Sequence, residues 1–216
     1  MLIENHSKLV MIGDSITDYE RARPYGEGLG EAIGKSYVML VDAMLKAIAP
    51  ESRIRVVNMG IGGNTTRDLK ERWQSDVLDL KPDWVSILIG INDVWRQFDS
   101  PLMTEMHVLP EEYEGNLRQL IEQTLPCVKG IVLMSPYFME PNPADAMRRR
   151  MDEYRTIMEN LSREYVLPYV DLQAEFDRYF QYYHPSSMNW DRVHPNIVGH
   201  MLIARAFLKK IGFSLA

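Results

Sequence analysis

Short, almost continuously apolar runs alternate with longer stretches of helical periodicity along this chain, and few architectures accept that pattern. The apolar runs cover residues 8–12, 53–58, 84–89, 131–134 and 169–172. The helical patterns cover 37–49, 66–80, 113–124, 144–165 and 195–211, the last opening on Pro195 as a first-turn proline. Strands that are apolar on both faces and separated by helices must lie side by side in a parallel sheet covered above and below. The expected fold is therefore α/β: a three-layer α/β/α sandwich around a central, mostly parallel five-stranded sheet. No repeat, low-complexity segment or linker divides the chain, so one domain spanning 1–216 is expected. Segments 26–34 and 99–111 read as functional or covering loops rather than domain boundaries.

Composition narrows the function classes. A 46% hydrophobic content over 216 residues supplies a substantial core, and the net charge of -6 argues against a nucleic-acid partner. The densest basic run, Arg148-Arg149-Arg150, sits among Met147, Met151 and Tyr154 and reads as the solvated face of an amphipathic helix. The single cysteine, Cys127, forbids an internal disulfide and reads as a small buried hydrophobe after Pro126. Glu4 and His6 stand where a secretory signal needs a cationic start and an apolar run, and no window has the length of a membrane span. A cytoplasmic protein without a membrane partner is expected. Fourteen methionines and eleven tyrosines are compatible with an adaptable surface and homo-oligomer formation.

In open α/β sheets, ligands gather at the carboxyl ends of the strands. Gly13-Asp14-Ser15 follows the first run, the glycine turn from Asn58 to Thr65 follows the second, and Gly90-Ile91-Asn92-Asp93 follows the third. Far down the chain comes Trp190-Asp191-Arg192-Val193-His194-Pro195. Ser15 is a nucleophile if His194 takes its proton, and Asp191, three residues before the histidine, can hold that imidazole in one tautomer. Acyl transfer also needs donors for a developing oxyanion. The Ser15 N–H, a Gly63 N–H and the Asn92 side-chain amide are the candidates. Each residue has a structural alternative. Ser15 could cap a strand-to-helix turn, Asp191 a helix before Pro195, Asn92 the helix after it, and Gly63 a tight reversal. Jointly, the set favours chemistry.

Trp190 and Trp95 neighbour these segments and are candidate substrate-binding walls for a sugar ring, or ordinary apolar filler. Asp14 and Asp93 read as turn-stabilising acceptors. Other chemistries fit poorly. Gly28 to Ser36 misses the phosphate-loop spacing by one residue and follows no strand, and Gly60-x-Gly62-Gly63 misses the dinucleotide fingerprint. His184, His194 and His200 show no metal-ligand spacing, so neither metal nor cofactor is expected. Gly-x-Ser-x-Gly is absent.

Gly13-Asp14-Ser15-Ile16, the Gly63 turn, Gly90-Ile91-Asn92-Asp93 and Asp191-Arg192-Val193-His194-Pro195 resemble, in order and spacing, the four blocks of the GDSL/SGNH hydrolases. The resemblance implies a flavodoxin-like sandwich with Ser15 as nucleophile, His194 as base and Asp191 as orienting acid. It also implies an oxyanion hole of Ser15, Gly63 and Asn92. Arg21-Ala22-Arg23-Pro24, Gly63 to Leu69, Asn92 to Gln97 and Gly199-His200-Met201 look like intracellular bacterial acetylxylan esterases of this family. The expected function is thus removal of acetyl groups from xylo-oligosaccharides through an acyl-serine. The alternatives are a thioesterase or lysophospholipase of the same family and, from another class, a non-catalytic carbohydrate-binding module.

Overall fold

The computed structural model describes residues 1–214, so the last two residues of the expected 1–216 unit lie outside the described residues. Five strands form one sheet: β1 (Lys8–Gly13), β2 (Arg55–Asn58), β3 (Trp84–Leu88), β4 (Gly130–Met134) and β5 (Tyr169–Val170). Their order is β2-β1-β3-β4-β5 and every pairing is parallel. The apolar runs explain this: Leu9 to Ile12 are fully buried, as are Val85 and Ile87 in β3 and Ile131 to Met134 in β4. The strand order reverses between β1 and β3, β2 lying to one side of β1 and β3 to β5 to the other, which opens a crevice at their carboxyl ends.

Among the described residues eight α-helices accompany the strands, six between them and two after β5: α1 (Ser15–Asp18), α2 (Tyr37–Ile48), α3 (Thr66–Asp76), α4 (Ile91–Asp99), α5 (Pro110–Thr124), α6 (Ala146–Glu164), α7 (Leu172–Phe180) and α8 (Ile197–Lys210). Helices α2, α7 and α8 pack in one layer and α3 to α6 in the other, completing the expected sandwich. Side-chain caps fix their starts. Ser36 caps α2, Thr65 and Asp68 form a reciprocal box at α3, and Asp171 caps α7. The α3 and α5 layer is tied by the buried Trp73, whose indole N–H donates to Thr124 Oγ1 at 2.9 Å.

Several expectations need correction. Helices α4 and α7 occupy segments for which the periodicity predicts no element; both are only nine residues long. Strand β2 starts at Arg55, because a tight turn over Pro50–Ser52 ends with Arg53 in the left-handed region. Helix α3 stops at Asp76 and a separate turn, Leu78–Leu80, follows. Pro195 is not helical. Asn196 caps α8, its side-chain oxygen accepting from the N–H of Val198 at 3.0 Å. Arg148 is buried rather than solvated, because it faces α7 and forks onto Asp177 at 2.8 and 2.9 Å. Cys127 is exposed at the end of a short turn, its Sγ 3.8 Å from the Gln123 carbonyl oxygen.

Candidate active site

The turn after β1 sets the first element of the site. Asp14 caps α1, its Oδ1 accepting from the Ile16 N–H at 2.9 Å, so the capping alternative for Ser15 belongs to its neighbour. Ser15 becomes the first residue of α1. Its N–H is among those that a helix start leaves unpaired, and its side chain is half-exposed.

The glycine turn after β2 is pressed against this helix. A Cβ on Gly60 would sit 2.2 Å from the Asp18 backbone nitrogen, so no larger residue allows the approach. Gly63 holds φ +81°, the left-handed region that glycine enters without penalty. Two arginines and an asparagine hold the turn. Arg21 donates to the Gly60 carbonyl oxygen at 2.7 Å and to Pro24 O at 2.7 Å. Burial pushes the Arg21 guanidinium down to about 10, with Arg23 nearby adding to the effect. Asn58, fully buried, donates to Thr17 O at 2.7 Å and accepts from the Gly60 N–H at 2.9 Å. Arg72 reaches Met59 O, Gly13 O and Asn64 Oδ1. Asp18 accepts from the Gly62 N–H at 3.0 Å. Burial alone would raise its carboxyl, but Arg23 and the Gly62 N–H together hold it below the ordinary value. The Gly63 N–H has no bonding partner among the described residues.

Asn92 lies inside α4, so it does not cap that helix; Gly90 occupies the cap position. Its Nδ2 donates to the Asn64 carbonyl oxygen at 3.0 Å, which sets the amide beside the glycine turn. Asp93 is fully buried and accepts from the Thr66 N–H at 3.0 Å, tying α4 to the start of α3. Burial raises both Asp14 and Asp93 to about 7. Both carboxyls serve as turn and cap acceptors, the role their sequence positions suggest.

The last element arrives from the segment between α7 and α8. Asp191 Oδ1 accepts the N–H groups of Val193 (2.9 Å) and His194 (3.0 Å), and its Oδ2 lies 2.7 Å from His194 Nδ1. The other imidazole nitrogen, Nε2, lies 2.9 Å from Ser15 Oγ. Burial tends to raise the Asp191 carboxyl, but the His194 ring and the two backbone N–H bonds outweigh it and keep it below the usual carboxylate range. Arg192 takes a left-handed φ of 59° and pairs with Glu140; Asn189 Nδ2 donates to His194 O at 2.8 Å. The segment is thereby tethered at both sides of the histidine.

The Trp95 and His194 rings meet at a steep angle of 68°, centroids 5.9 Å apart, and the Arg96 guanidinium lies over the Trp95 ring at 4.8 Å. Trp190 is 88% exposed and borders a neighbouring cavity of about 330 Å³ that includes Glu140, His184 and Arg192. Ser15 and His194 open into a cavity of about 310 Å³ walled by Asp18, Tyr19 and Glu20. These three wall residues escaped the sequence reading, as did Arg72 and Asn64. His200 is also buried: its Nδ1 accepts the Tyr37 N–H at 3.1 Å and its ring meets Tyr19 edge-on at 4.7 Å. Burial pushes its imidazole down to about 4, with His194 contributing. Among the described residues no cluster of His, Cys, Asp or Glu is arranged to hold a metal, and no helix is long and apolar enough to cross a membrane.

This arrangement has close counterparts. An acetylxylan esterase of Geobacillus stearothermophilus is 54% identical over 213 residues, 99% of this chain and 97% of that protein. The crystal structure of that esterase, Axe2, superposes with a TM-score of 0.98 at 54% identity, covering 99% of this chain and 98% of the other. Variants S15A, D191A and H194A of Axe2 have been solved as catalytic mutants of that protein. A more distant relative, thioesterase 1/protease 1/lysophospholipase L1 of Escherichia coli (strain K12), is 26% identical over 186 residues, 85% of this chain and 81% of that one. The sequence pattern of GDSL-like lipases and acylhydrolases matches residues 11–202, and the chain belongs to that family.

Proposed function

We propose that the protein is a serine esterase that removes acetyl groups from xylo-oligosaccharides. The observation that carries this reading is the continuous chain from Ser15 Oγ through His194 to Asp191, with separations of 2.9 and 2.7 Å. Ser15 Oγ attacks the ester carbonyl while His194 Nε2 takes its proton. Asp191 keeps the Nδ1 proton in place and stabilises the imidazolium that forms. Negative charge on the former carbonyl oxygen meets the N–H groups of Ser15 and Gly63 and the Asn92 amide. Such a donor contributes about 3 kcal/mol to the barrier when removed singly. His194 returns the proton to the departing sugar hydroxyl. Water, deprotonated by the same nitrogen, then releases acetate from the acyl-serine.

Substrate class rests on two supports. The acetylxylan esterase of Geobacillus stearothermophilus shares over half its residues with this chain. The cavity at Ser15 is about 310 Å³ and is walled by Asp18 and Glu20, which suits a small acyl group on a neutral sugar better than a long apolar chain. Trp95 and Trp190 are proposed to contact the sugar. With a single cysteine and no need for an oxidising compartment, the proposed place of action is the cytoplasm. The test is acetate release from acetylated xylo-oligosaccharides, followed by NMR, alongside turnover of p-nitrophenyl acetate. Activity that climbs from acetyl to long acyl esters would reject the deacetylase in favour of a thioesterase or lysophospholipase. Sugar binding without turnover, unchanged in Ser15→Ala, would indicate a binding module.

A further inference from the structure

One guanidinium touches two of the three loops from which the proposed oxyanion donors come, and reaches the third through Asn64. Arg72 sits in the second turn of α3, with its side chain only 13% exposed. Its Nη2 donates to Gly13 O at 3.0 Å, one residue before the Asp14-Ser15 pair. Nη1 donates to Met59 O at 2.8 Å, at the root of the glycine turn, and to Asp76 at 2.8 Å. Nε donates to Asn64 Oδ1 at 2.7 Å, and the Asn64 carbonyl oxygen in turn accepts from Asn92 Nδ2 at 3.0 Å. The Ser15 and Gly63 donors thus lie within one or two residues of groups bonded to the same planar fork, and the Asn92 amide is linked to it through Asn64.

We propose that Arg72 is a positioning residue for the oxyanion hole, fixing the spacing between the nucleophile turn, the glycine turn and the Asn92 amide. The inference rests on the esterase reading above. Asp76, one turn further along α3, orients the fork without touching any of the loops. Lysine cannot take over the task, because a single ammonium on a flexible stem has no rigid array of donors to span three acceptors. A guanidinium present only to satisfy strand-end carbonyls would affect folding alone. One that sets donor geometry affects the transition state more than substrate binding, since the developing oxyanion depends on sub-ångström placement.

The experiment compares kcat and KM for p-nitrophenyl acetate in the wild type, Arg72→Lys, Asn64→Ala and the double variant, each at a temperature where near-UV circular dichroism shows it folded. Arg72→Lys is expected to lose about 10- to 100-fold in kcat with KM within about 3-fold of the wild type. Asn64→Ala, which removes one of the contacts, should lose less. The double variant should be no worse than Arg72→Lys alone, because both changes break the same Nε–Oδ1 bond. Wild-type kcat in Arg72→Lys, a loss confined to KM, or losses that multiply in the double variant would overturn the assignment. Should Arg72→Lys fail to fold, Asn64→Ala decides: lowered kcat at constant KM supports the proposal, and unchanged kcat sinks it. Ser15→Ala separates the two levels. A wild type without turnover, or Ser15→Ala as active as the wild type, defeats the esterase reading itself. An inactive Ser15→Ala beside a fully active Arg72→Lys defeats only the role of Arg72.

Discussion

The two halves of the candidate site are built by opposite means. The nucleophile half, made from the turns after β1, β2 and β3, grows directly out of buried strands. Asn58, Arg21 and Arg72 stitch its loops together with donors and acceptors that are themselves largely buried. The acid–base half hangs on the segment between α7 and α8, beside the exposed Tyr182, Tyr183 and Trp190. There, Met188 and Val193 are buried anchors, while the Arg192–Glu140 pair and the Asn189 amide hold the backbone around the ring. Stability is thus concentrated in one half, and the adjustable geometry of proton transfer in the other.

The comparison can be broken at several points. The largest effects should be catalytic and leave folding intact: Ser15→Ala and Asp191→Asn are each expected to cost on the order of 10⁴-fold in kcat, with melting temperatures close to the wild type. Steady-state kinetics with calorimetry reads both. In the buried half, Asn58→Leu should destabilise by about 3 kcal/mol, because Thr17 O and the Gly60 N–H lose their partner at once. Urea unfolding measures it, and a loss no larger than that of Asn189→Ala would erase the contrast. Asn189→Ala itself should cost no more than about 1 kcal/mol in stability while lowering kcat about tenfold.

His200 gives a pH-dependent version. Its folded imidazole titrates at about 4 against an ordinary 6.5. Between those values the unfolded chain holds a proton that the folded protein refuses, so stability falls as pH falls through this window. Asp14 and Asp93, raised to about 7, act in the opposite sense and favour the folded state as pH drops from 7 towards 4. His200→Asn keeps an acceptor near the Tyr37 N–H and removes the titration. The wild type should therefore lose ground to the variant between pH 7 and pH 5 in urea midpoints; parallel curves would refute this. The smallest effect belongs to Trp190→Ala. Stability should stay within about 0.5 kcal/mol, while KM rises for xylo-oligosaccharide and not for p-nitrophenyl acetate.

What could be read from the sequence divides along similar physical lines. Strands buried on both faces announce themselves as apolar runs, so all five strands were legible to within two residues. Ser15 was legible because a polar residue placed directly after such a run has few structural reasons to be there, and Asp191 and His194 because an acid three residues before a histidine can orient its ring. Helices α4 and α7 were not, since nine residues span too few turns for periodicity to stand out. Arg72 and Arg148 were hidden because a charged residue on an amphipathic helix ordinarily faces water. Only the tertiary fold brings carbonyl oxygens to the first and the Asp177 carboxylate to the second. Cys127 was misjudged from its apolar neighbours, which say nothing of which way a short turn rotates each side chain.

The bond from Asn92 Nδ2 to the Asn64 carbonyl has one last consequence. A carboxamide nitrogen carries two hydrogens on a rigid plane, so committing one of them determines the direction of its twin. The free hydrogen is aimed before any ester docks, and charge building on an acyl oxygen meets a dipole that need not turn to greet it.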